Sequence, residues 1–400
     1  MPFVFGGKNT VEWTLSESIQ HGFTRPVYSL SFLADYTLYG NDYRLYHLTD
    51  FLLSWVTFGL LLYLIRKRFG LAVAALSMTL WALHPAQTFS LTSFTGRNDR
   101  LLGIFVLVTI ALADRAFSTI KTRNRFLILA LATAAIGSLA KETSLPYLAL
   151  SFGWCWIAMG KEFLSVWKEG RILWVGGGVL FLLLMLTKPL ISQNLAVPFE
   201  IGLIYLVKMA HLLSWGIPGS IPTTAVAGGI EIALLAISAF SGKLPKTVRM
   251  GAFLTLVSLA PFPFVWVQKT FLWLPSAGLC LIVAGLLEYF FSFLRVSHFN
   301  RYLKCFITLV ILCATAVWGY QQGRREIDIS IAIKIVVEQL SEQQDGPVYD
   351  SNAAIESIPG LVPIFAYNEV EPEITHKNRT YLQQLLQLHT LNEEALIVWQ

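Results

Sequence analysis

Long apolar stretches alternate with short polar loops along most of the 400-residue chain. A tilted helix needs about 20 apolar residues to cross the hydrocarbon core of a bilayer, so each stretch near that length is a candidate membrane span. We count about ten, near residues 44–65, 71–84, 101–117, 126–140, 144–160, 172–188, 223–240, 251–267, 272–294 and 303–320. The pattern predicts an all-α polytopic membrane protein with about ten spans.

The composition agrees with an integral, multi-pass membrane protein. Hydrophobic residues make up 55% of the chain and charged residues 14%, whereas roughly a quarter of the residues in soluble domains are charged. The sequence has no Walker loop, no paired-histidine zinc motif and no glycine-rich dinucleotide turn. This argues against an ATP-driven pump and against a soluble type of nucleotide-sugar enzyme, and we expect no nucleic-acid partner.

The distribution of Lys and Arg predicts which loops face the cytoplasm, because cytoplasmic loops carry an excess of both. Basic clusters occur in alternate loops: Arg66, Lys67 and Arg68; Lys121, Arg123 and Arg125; Lys161, Lys168 and Arg171; Lys243, Lys246 and Arg249; Arg295, Arg301 and Lys304. The other loops would then lie on the extracytoplasmic face, and we expect the protein in the cell inner membrane with its active side outward.

Three regions are predicted along the chain. Residues 1–43 are amphipathic and aromatic, which suits an outer-face segment at the interface, and residues 44–320 form a transmembrane domain. In residues 321–400, short apolar runs alternate with helical patterns, which favours a small extracytoplasmic α/β domain. The cysteines all fall in apolar stretches and are predicted to be buried small side chains rather than disulfides or metal ligands. They are Cys155, Cys280, Cys305 and Cys313.

Charged residues at the ends of apolar stretches are candidates for function, because membrane proteins rarely tolerate them without one. Arg97 and Asp99 come just before the stretch that begins at Leu101. A helix beginning near Asn98 would place Asp99 in its first turn, where the macrodipole favours a carboxylate and backbone N–H groups can receive an anion. Gly96 would permit a tight turn before it. The region is either a capped helix with an interfacial Arg97 or a phosphate site with Arg97 as a bidentate clamp.

A second charged pair, Lys141 and Glu142, lies in a very short connection between two apolar stretches. Either it is an exposed turn that keeps the loop in water, or Lys141 meets a phosphate while Glu142 orients a ligand hydroxyl or a partner base. His84 precedes the helix-stopping Pro85, where an interfacial histidine with satisfied hydrogen bonds is the usual structural explanation. Asp50 lies inside the first span, so we expect it to face the bundle or a cavity.

Four stretches occur in a recognisable order over about 260 residues. They are Arg25-Pro26-Val27-Tyr28 with Asp35-Tyr36, Gly40 and Tyr46-His47-Leu48; Trp81-Ala82-Leu83-His84-Pro85 with Gly96-Arg97-Asn98-Asp99-Arg100-Leu101; Lys141-Glu142-Thr143; and Leu272-Trp273-Leu274-Pro275-Ser276-Ala277-Gly278. Together they resemble the GT-C membrane glycosyltransferases, and among these the transmembrane and tetratricopeptide-repeat protein O-mannosyltransferases and their bacterial counterparts. The resemblance covers most of the membrane part and none of residues 321–400.

This resemblance implies transfer of a hexose, with mannose as a candidate, from a polyprenyl-phosphate donor to a protein or glycan acceptor at the extracytoplasmic face. It assigns catalysis to Asp99 and Glu142, which would shape the pocket or hold a divalent cation, Mg²⁺ or Mn²⁺. Cationic side chains would stabilise the charge that develops on the leaving phosphate. The residues implied in binding phosphate or substrate are Arg97, Lys141, His84, Arg25 and His47.

The chain departs from this family near its beginning. The family has an initial membrane helix followed by an acidic residue, the expected base, and neither has a counterpart here. Asp50 and Ser54 stand where the family has Asn and His. An even number of spans also places both termini outside, so we expect one helix to be missing upstream. Two alternatives stay open: a catalytically inactive or truncated membrane protein that binds the lipid carrier or assists assembly, and a transporter.

Overall fold

The computed structural model describes residues 25–40, 42–87, 96–187, 221–260, 272–293, 302–321 and 324. Within these ranges it describes all side chains except those of residues 43, 142, 184–187, 221–228 and 293. Every regular element in this part of the chain is helical, and it contains no strand. Apart from residues 321 and 324, the predicted α/β domain lies outside the described residues. Residues 1–24 of the predicted outer-face segment also lie outside them.

Twelve α-helices in the described residues are numbered here in chain order. They are α1 (Pro26–Tyr39), α2 (Tyr43–Phe69), α3 (Leu71–Leu83), α4 (Arg97–Ser118), α5 (Arg123–Ser138), α6 (Leu148–Gly153), α7 (Phe163–Glu169), α8 (Arg171–Thr187), α9 (Ile221–Phe240), α10 (Lys246–Leu259), α11 (Trp273–Phe293) and α12 (Tyr302–Gln321).

Four described helices are long and apolar enough to cross a membrane: Arg44–Phe69, Arg97–Ser118, Trp273–Ser292 and Tyr302–Gln321. Some of the other apolar helices are too short to span; α3, for example, has 13 residues and rises about 20 Å, against about 30 Å for a bilayer core. Each of the ten predicted stretches contains helix. Four contain a described helix that is both long and apolar enough to cross a membrane, and a total of ten crossings stays a prediction.

The predicted span at 144–160 is not one continuous helix. A single 3₁₀ turn (Glu142–Ser144) follows Lys141, a further turn leads into α6, and α6 continues as a π-helical turn over Trp154–Ala158. A π-helical turn inside an α-helix accommodates an extra residue at a site of special contact. Here the indole Nε1 of Trp154 donates a hydrogen bond to Asp114 of α4 at 3.1 Å.

Helices α2 and α4 run parallel to each other. Asp50 contacts Arg97 near their beginnings, and Lys67 contacts Asp114 near their ends, seventeen residues further along each helix. At about 1.5 Å per residue the two ionic contacts are about 26 Å apart, which is comparable to the thickness of a bilayer core. We call the side with Asp50 and Arg97 the network end and the side with Lys67 and Asp114 the basic end.

An apolar core fills the space between the two ends. It joins α2, α3, α4, α6 and α11 and includes Leu64, Trp81, Val106 and Trp154. Helices α10 and α11 approach so closely that a Cβ on Gly251 would lie 2.6 Å from the carbonyl oxygen of Gly278. Small residues permit such approaches between membrane helices, where packing replaces the hydrophobic driving force.

The cysteines follow their prediction only in part. All four are free thiols, and Cys155 and Cys280 are buried as predicted. The prediction of burial is wrong for Cys305 and Cys313, which are exposed on the outer surface of α12. An apolar stretch indicates that a helix has apolar surroundings, but it does not distinguish lipid from protein. This is why the sequence did not separate the two buried cysteines from the two exposed ones.

Candidate functional site

Arg97 is the centre of a buried ionic arrangement at the network end. Its side chain is 0% exposed and lies between two carboxylates, with Nε 2.6 Å from Oδ1 of Asp50 and Nη1 2.7 Å from Oδ2 of Asp35. Nη2 donates a hydrogen bond to the Tyr46 carbonyl at 3.0 Å, and the guanidinium lies 3.9 Å from the centre of the Phe32 ring. The guanidinium of Arg97 is therefore held in one position by α1 and α2.

Two further cations extend this arrangement. Arg100 Nη1 lies 3.1 Å from Oδ1 of Asp50, and Arg100 is also within electrostatic range of Asp99. Lys141 forms an ion pair with Asp99, and both side chains are almost completely buried. We call the six residues the ion network; they are Asp35, Asp50, Arg97, Asp99, Arg100 and Lys141. Three cations thus face three carboxylates.

Local contacts explain why separate segments meet here. The Val27 N–H at the start of α1 donates to the Leu139 carbonyl at 3.1 Å, two residues before Lys141. The Thr49 hydroxyl of α2 donates to Asp35 of α1 at 2.9 Å. Because α1 is tied both to α2 and to the turn after α5, its carboxylate is brought to Arg97 at the start of α4.

The stretch around Trp273 packs against the same helix. The indole Nε1 of Trp81 donates to the Trp273 carbonyl at 3.0 Å, and a Cβ on Gly103 would lie 2.5 Å from the Trp273 ring. Gly103 belongs to α4, less than two turns after Arg97. All four sequence stretches singled out above therefore converge on the first half of α4.

The remaining predicted residues take different positions. His47 is half-buried on α2, within electrostatic range of Asp50 and Arg97. Arg25 immediately precedes α1 and lies near Tyr28, whose pKa is raised by burial against the opposing effects of Arg25 and Arg97. Tyr28 thus keeps its proton at neutral pH and can donate a hydrogen bond.

His84 occupies the end of α3. Its Nδ1 accepts a hydrogen bond from the Ala86 N–H at 3.1 Å, so a neutral imidazole carries its proton on Nε2. Its ring packs edge-on against Trp318 of α12, with the centroids 5.2 Å apart. For Glu142 the backbone is in the 3₁₀ turn, and the side chain lies outside the described residues.

Three structural explanations offered for the sequence are wrong. Arg97 is fully buried in the protein and not exposed at its surface, and Lys141, 4% exposed, does not belong to an exposed turn. Gly96 has φ −67° and ψ −13°, an ordinary helical conformation, so the start of α4 requires no glycine for its turn. The helix begins at Arg97, which does place Asp99 in its first turn as predicted, and Asp50 faces the bundle as predicted.

The sequence reasoning missed Asp35 and Arg100 as members of the ion network. Arg100 follows Arg97 by three residues, so both lie on one face of α4, and this spacing was a usable signal. Asp35 is 62 residues before Arg97, and no local pattern connects the two. The structure also adds Asp114, a fully buried carboxylate at the basic end that binds Lys67 and Arg68.

A divalent cation finds no ready set of ligands here. Among the described residues, no group of three His, Cys, Asp or Glu side chains is placed to hold a metal ion. Each carboxylate of the ion network already faces an Arg or Lys, and these positive charges would repel Mg²⁺ or Mn²⁺.

Comparisons with known proteins give one significant similarity among curated sequences. Protein O-mannosyl-transferase tmtc2 of Xenopus laevis is 25% identical to the chain over 208 residues. The match covers 51% of this chain and 22% of the relative. No protein-family model and no solved structure matches the chain. The similarity supports a relationship to glycosyltransferases, and the apolar helices fit a membrane protein.

Proposed function

We propose that the chain is an integral-membrane glycosyltransferase that moves a hexose from a polyprenyl-phosphate donor to a protein or glycan acceptor. The observation that carries the proposal is the convergence of four separate sequence stretches on a buried, charge-balanced ion network at one end of α4. The named activity of the relative, protein O-mannosyl transfer, supports the same reaction class.

Structural stability alone does not account for the ion network. Desolvation of buried charges costs several kcal/mol per ion, and well-packed apolar residues are often as stabilising as a buried ion pair. Charged residues within membrane helices are therefore functional candidates by default. A phosphate diester is an anion that needs cationic partners in a low-dielectric site, and Arg97, Arg100 and Lys141 supply them.

The two kinds of cation suit different roles. Arg97 is fixed by two carboxylates, a carbonyl and an aromatic ring, so it positions the carboxylates of α1 and α2 and adds to the positive potential. Lys141 has a flexible stem and a compact charge, and Asp99 is its partner. Lys141 is therefore the cation that can move from its carboxylate to a donor phosphate.

The reaction follows from this exchange of partners. The acceptor hydroxyl oxygen attacks C1 of the sugar, the bond from C1 to the phosphate oxygen breaks, and the polyprenyl phosphate leaves with the bonding electrons. Lys141 stabilises the charge on the leaving phosphate. Asp99, released from Lys141, takes the proton of the acceptor hydroxyl. Glu142 follows Lys141 in the sequence. No step of this scheme passes through a metal ion.

The extracytoplasmic face is proposed as the site of transfer. The opposite end of the bundle carries most of the exposed Lys and Arg side chains, and the excess of basic residues in cytoplasmic loops would place that end inside. The network end would then face outward from the inner membrane, where a lipid-linked donor and an extracytoplasmic acceptor can meet.

A second function, binding of the lipid carrier without chemistry, is favoured by one observation. Asp35, Asp50 and Asp99 each face a cation, so none of them can reach an acceptor hydroxyl as a base until its ion pair opens. If Lys141 does not leave Asp99 when the donor binds, the site holds a phosphate but transfers no sugar.

The test measures the rate at which purified protein transfers radiolabelled hexose from a polyprenyl-phosphate donor. The same rate is measured for two matched variants. Lys141→Gln and Lys67→Gln each remove one lysine from a buried aspartate, at opposite ends of the bundle. We expect Lys141→Gln to lose about 100-fold or more of the transfer rate and Lys67→Gln to keep it. Addition of EDTA should leave the rate unchanged.

The other outcomes separate the alternatives. Saturable donor binding without transfer would favour the carrier-binding function. Equal loss in both variants would assign the ion pairs to stability alone. Neither binding nor transfer with a panel of polyprenyl-phosphate hexoses would exclude both proposals.

A further inference from the structure

The basic end differs in kind from the network end. Its described residues include thirteen Lys and Arg but four acidic residues, Asp114, Glu162, Glu169 and Glu288. Most of the basic side chains are exposed, whereas the cations of the ion network are buried. The basic residues are Arg66, Lys67, Arg68, Arg115, Lys121, Arg123, Arg125, Lys161, Lys168, Arg171, Lys243, Lys246 and Arg249.

Contacts between segments join these residues into one surface. Arg123 at the start of α5 pairs with Glu169 at the end of α7 at 3.0 Å. The Arg249 guanidinium lies 5.6 Å from the Trp156 ring, and its Nε donates to the Ala239 carbonyl at 3.3 Å. The beginnings of α5, α8 and α10 and the whole of α7 therefore meet at this end.

Helix stability does not explain the basic residues. Arg123 and Arg125 begin α5, Arg171 begins α8 and Lys246 begins α10, and none of these helices has an acidic residue in its first turn. A cation near a helix N-terminus opposes the macrodipole and is unfavourable. The positive side chains and the positive ends of the helix dipoles together make the electrostatic potential at this surface positive, so the surface attracts anions.

Helix α7 adds an apolar component to the same surface. Val166 is buried and its carbonyl accepts a hydrogen bond from the Trp174 indole at 3.0 Å, which fixes one side of α7 to the bundle. On the other side Phe163, Leu164 and Trp167 are 50%, 65% and 52% exposed. Leu164 and Trp167 thus project from α7, and Phe163 is half exposed while it packs on Phe152 and Trp156. Lys168 of the same helix and the nearby Lys161 and Arg171 are exposed cations.

From this combination we propose that the surface around α7 binds anionic phospholipid headgroups. Projecting aromatic and aliphatic side chains beside exposed cations are the pattern of a helix that lies in the interface of an anionic leaflet. Phe163, Leu164 and Trp167 enter the boundary of the acyl chains, while Lys121, Arg125, Lys168 and Arg171 contact the phosphodiesters. The site is distinct from the ion network, about one bilayer core away, and does not depend on the function proposed for it.

A lipid is favoured over an acidic protein by position. The surface lies at the ends of helices that are long enough to cross a membrane, so it is level with the headgroups of the leaflet. Each Lys or Arg near an anionic membrane surface contributes about fivefold to binding. The contribution falls with salt, because the screening length is about 8 Å at physiological ionic strength.

The experiment measures binding of phosphatidylglycerol and of phosphatidylcholine with the same acyl chains to protein purified in an uncharged detergent. Retained lipid is counted by native mass spectrometry, and the thermal midpoint is recorded alongside. We expect phosphatidylglycerol to be retained in preference and to raise the midpoint. The single variant Arg171→Gln should weaken this binding about fivefold, whereas Arg44→Gln, at the network end, should leave it unchanged. The combined Gln variant of Lys121, Arg125, Lys168 and Arg171 should abolish the preference.

Equal retention of the two lipids, or an unchanged preference in the combined variant, would overturn the proposal. Stabilisation by inorganic phosphate or by polyglutamate to the same extent as by phosphatidylglycerol would also overturn it, since the surface would then bind a soluble anion or an acidic protein. If the combined variant does not fold, the preference of the unaltered protein for phosphatidylglycerol is measured at increasing salt concentration instead. Loss of the preference for phosphatidylglycerol at high salt supports the site, and persistence contradicts it.

Discussion

At the scale of single residues, the burial of Arg97 is the feature with the clearest physical consequences. Its planar guanidinium contacts Asp35 and Asp50 on two edges and the Phe32 ring on its face. Lysine carries the same charge but cannot make a forked contact or stack in this way. The position should therefore depend on the shape of the cation as well as on its charge.

Replacement of Arg97 by Lys is expected to destabilise the protein by about 2 kcal/mol or more, because it leaves one buried carboxylate with a poorly placed partner. Thermal unfolding in detergent measures the effect. Arg115→Lys is the matched control, since Arg115 is on the same helix but exposed, and it should change stability by less than about 0.5 kcal/mol. Equal midpoints for both variants would contradict the described contacts.

Asp114 offers the corresponding test at the basic end. It is fully buried and binds Lys67, Arg68 and the Trp154 indole. Asp114→Asn keeps the shape but leaves two cations without a carboxylate, and we expect a loss of about 3 kcal/mol in unfolding free energy. The exposed Glu162→Gln serves as control. The measurement is again the unfolding midpoint, and an unperturbed Asp114→Asn protein would disprove the ionic contact.

The sequence identified some charged residues of the ion network but not their partners. Arg97, Asp99, Lys141 and Asp50 stood out because charge is rare near apolar stretches. The pairing of Arg97 with Asp35 depends on how α1 folds back onto the bundle, and no local rule fixes a contact over that distance. Burial was misjudged for the same reason, since a short loop can be exposed or covered depending on its neighbours.

At the scale of helices, apolar length predicted where helices occur but not their continuity. The break after Lys141 and the π-helical turn at Trp154 arise from specific contacts with α4, and hydropathy does not register them. The sequence did not predict the close packing of helices either, because glycines are common in membrane helices whether or not a neighbouring helix contacts them.

The contact between α10 and α11 can be tested by filling it. In Gly251→Ala the new methyl group would lie 2.6 Å from the Gly278 carbonyl oxygen, so the helices must separate, and we expect a lower unfolding midpoint. Gly178→Ala is the control, since a Cβ there meets nothing within 4 Å and alanine favours helix by up to about 1 kcal/mol. A stabilised Gly251→Ala protein would show that the helices do not pack as described.

At the scale of the whole molecule, an apolar middle lies between two charged ends that are about 26 Å apart. The hydrophobic pattern predicted the apolar middle, and the basic clusters predicted that charge would be unequally divided. The sequence predicted that Asp50 faces the bundle but not that Asp50 and Asp114 each join α2 to α4, because no local pattern pairs residues that are 47 positions apart.

Opposite placement of the two ends can be measured by labelling single cysteines in intact cells with a membrane-impermeant thiol reagent. Cysteines replace the exposed Thr37 of α1 or the exposed Lys121 of the basic end, after the native cysteines have been changed to serine. We expect the cysteine at 37 to react from outside and the cysteine at 121 to react only after the membrane is opened. Labelling of both from the same side would contradict the proposed placement of the two ends on opposite sides of a membrane.

The order of the charged residues along the chain has a consequence for biogenesis. Asp50 precedes its partner Arg97 by 47 residues, and Lys67 precedes Asp114 by the same interval. During synthesis, α2 reaches the translocon before either partner exists, and an unpaired carboxylate inside a membrane helix costs up to about 3 kcal/mol. Stable partitioning of α2 into lipid should therefore wait for α4, so that α2, α3 and α4 leave the translocon together.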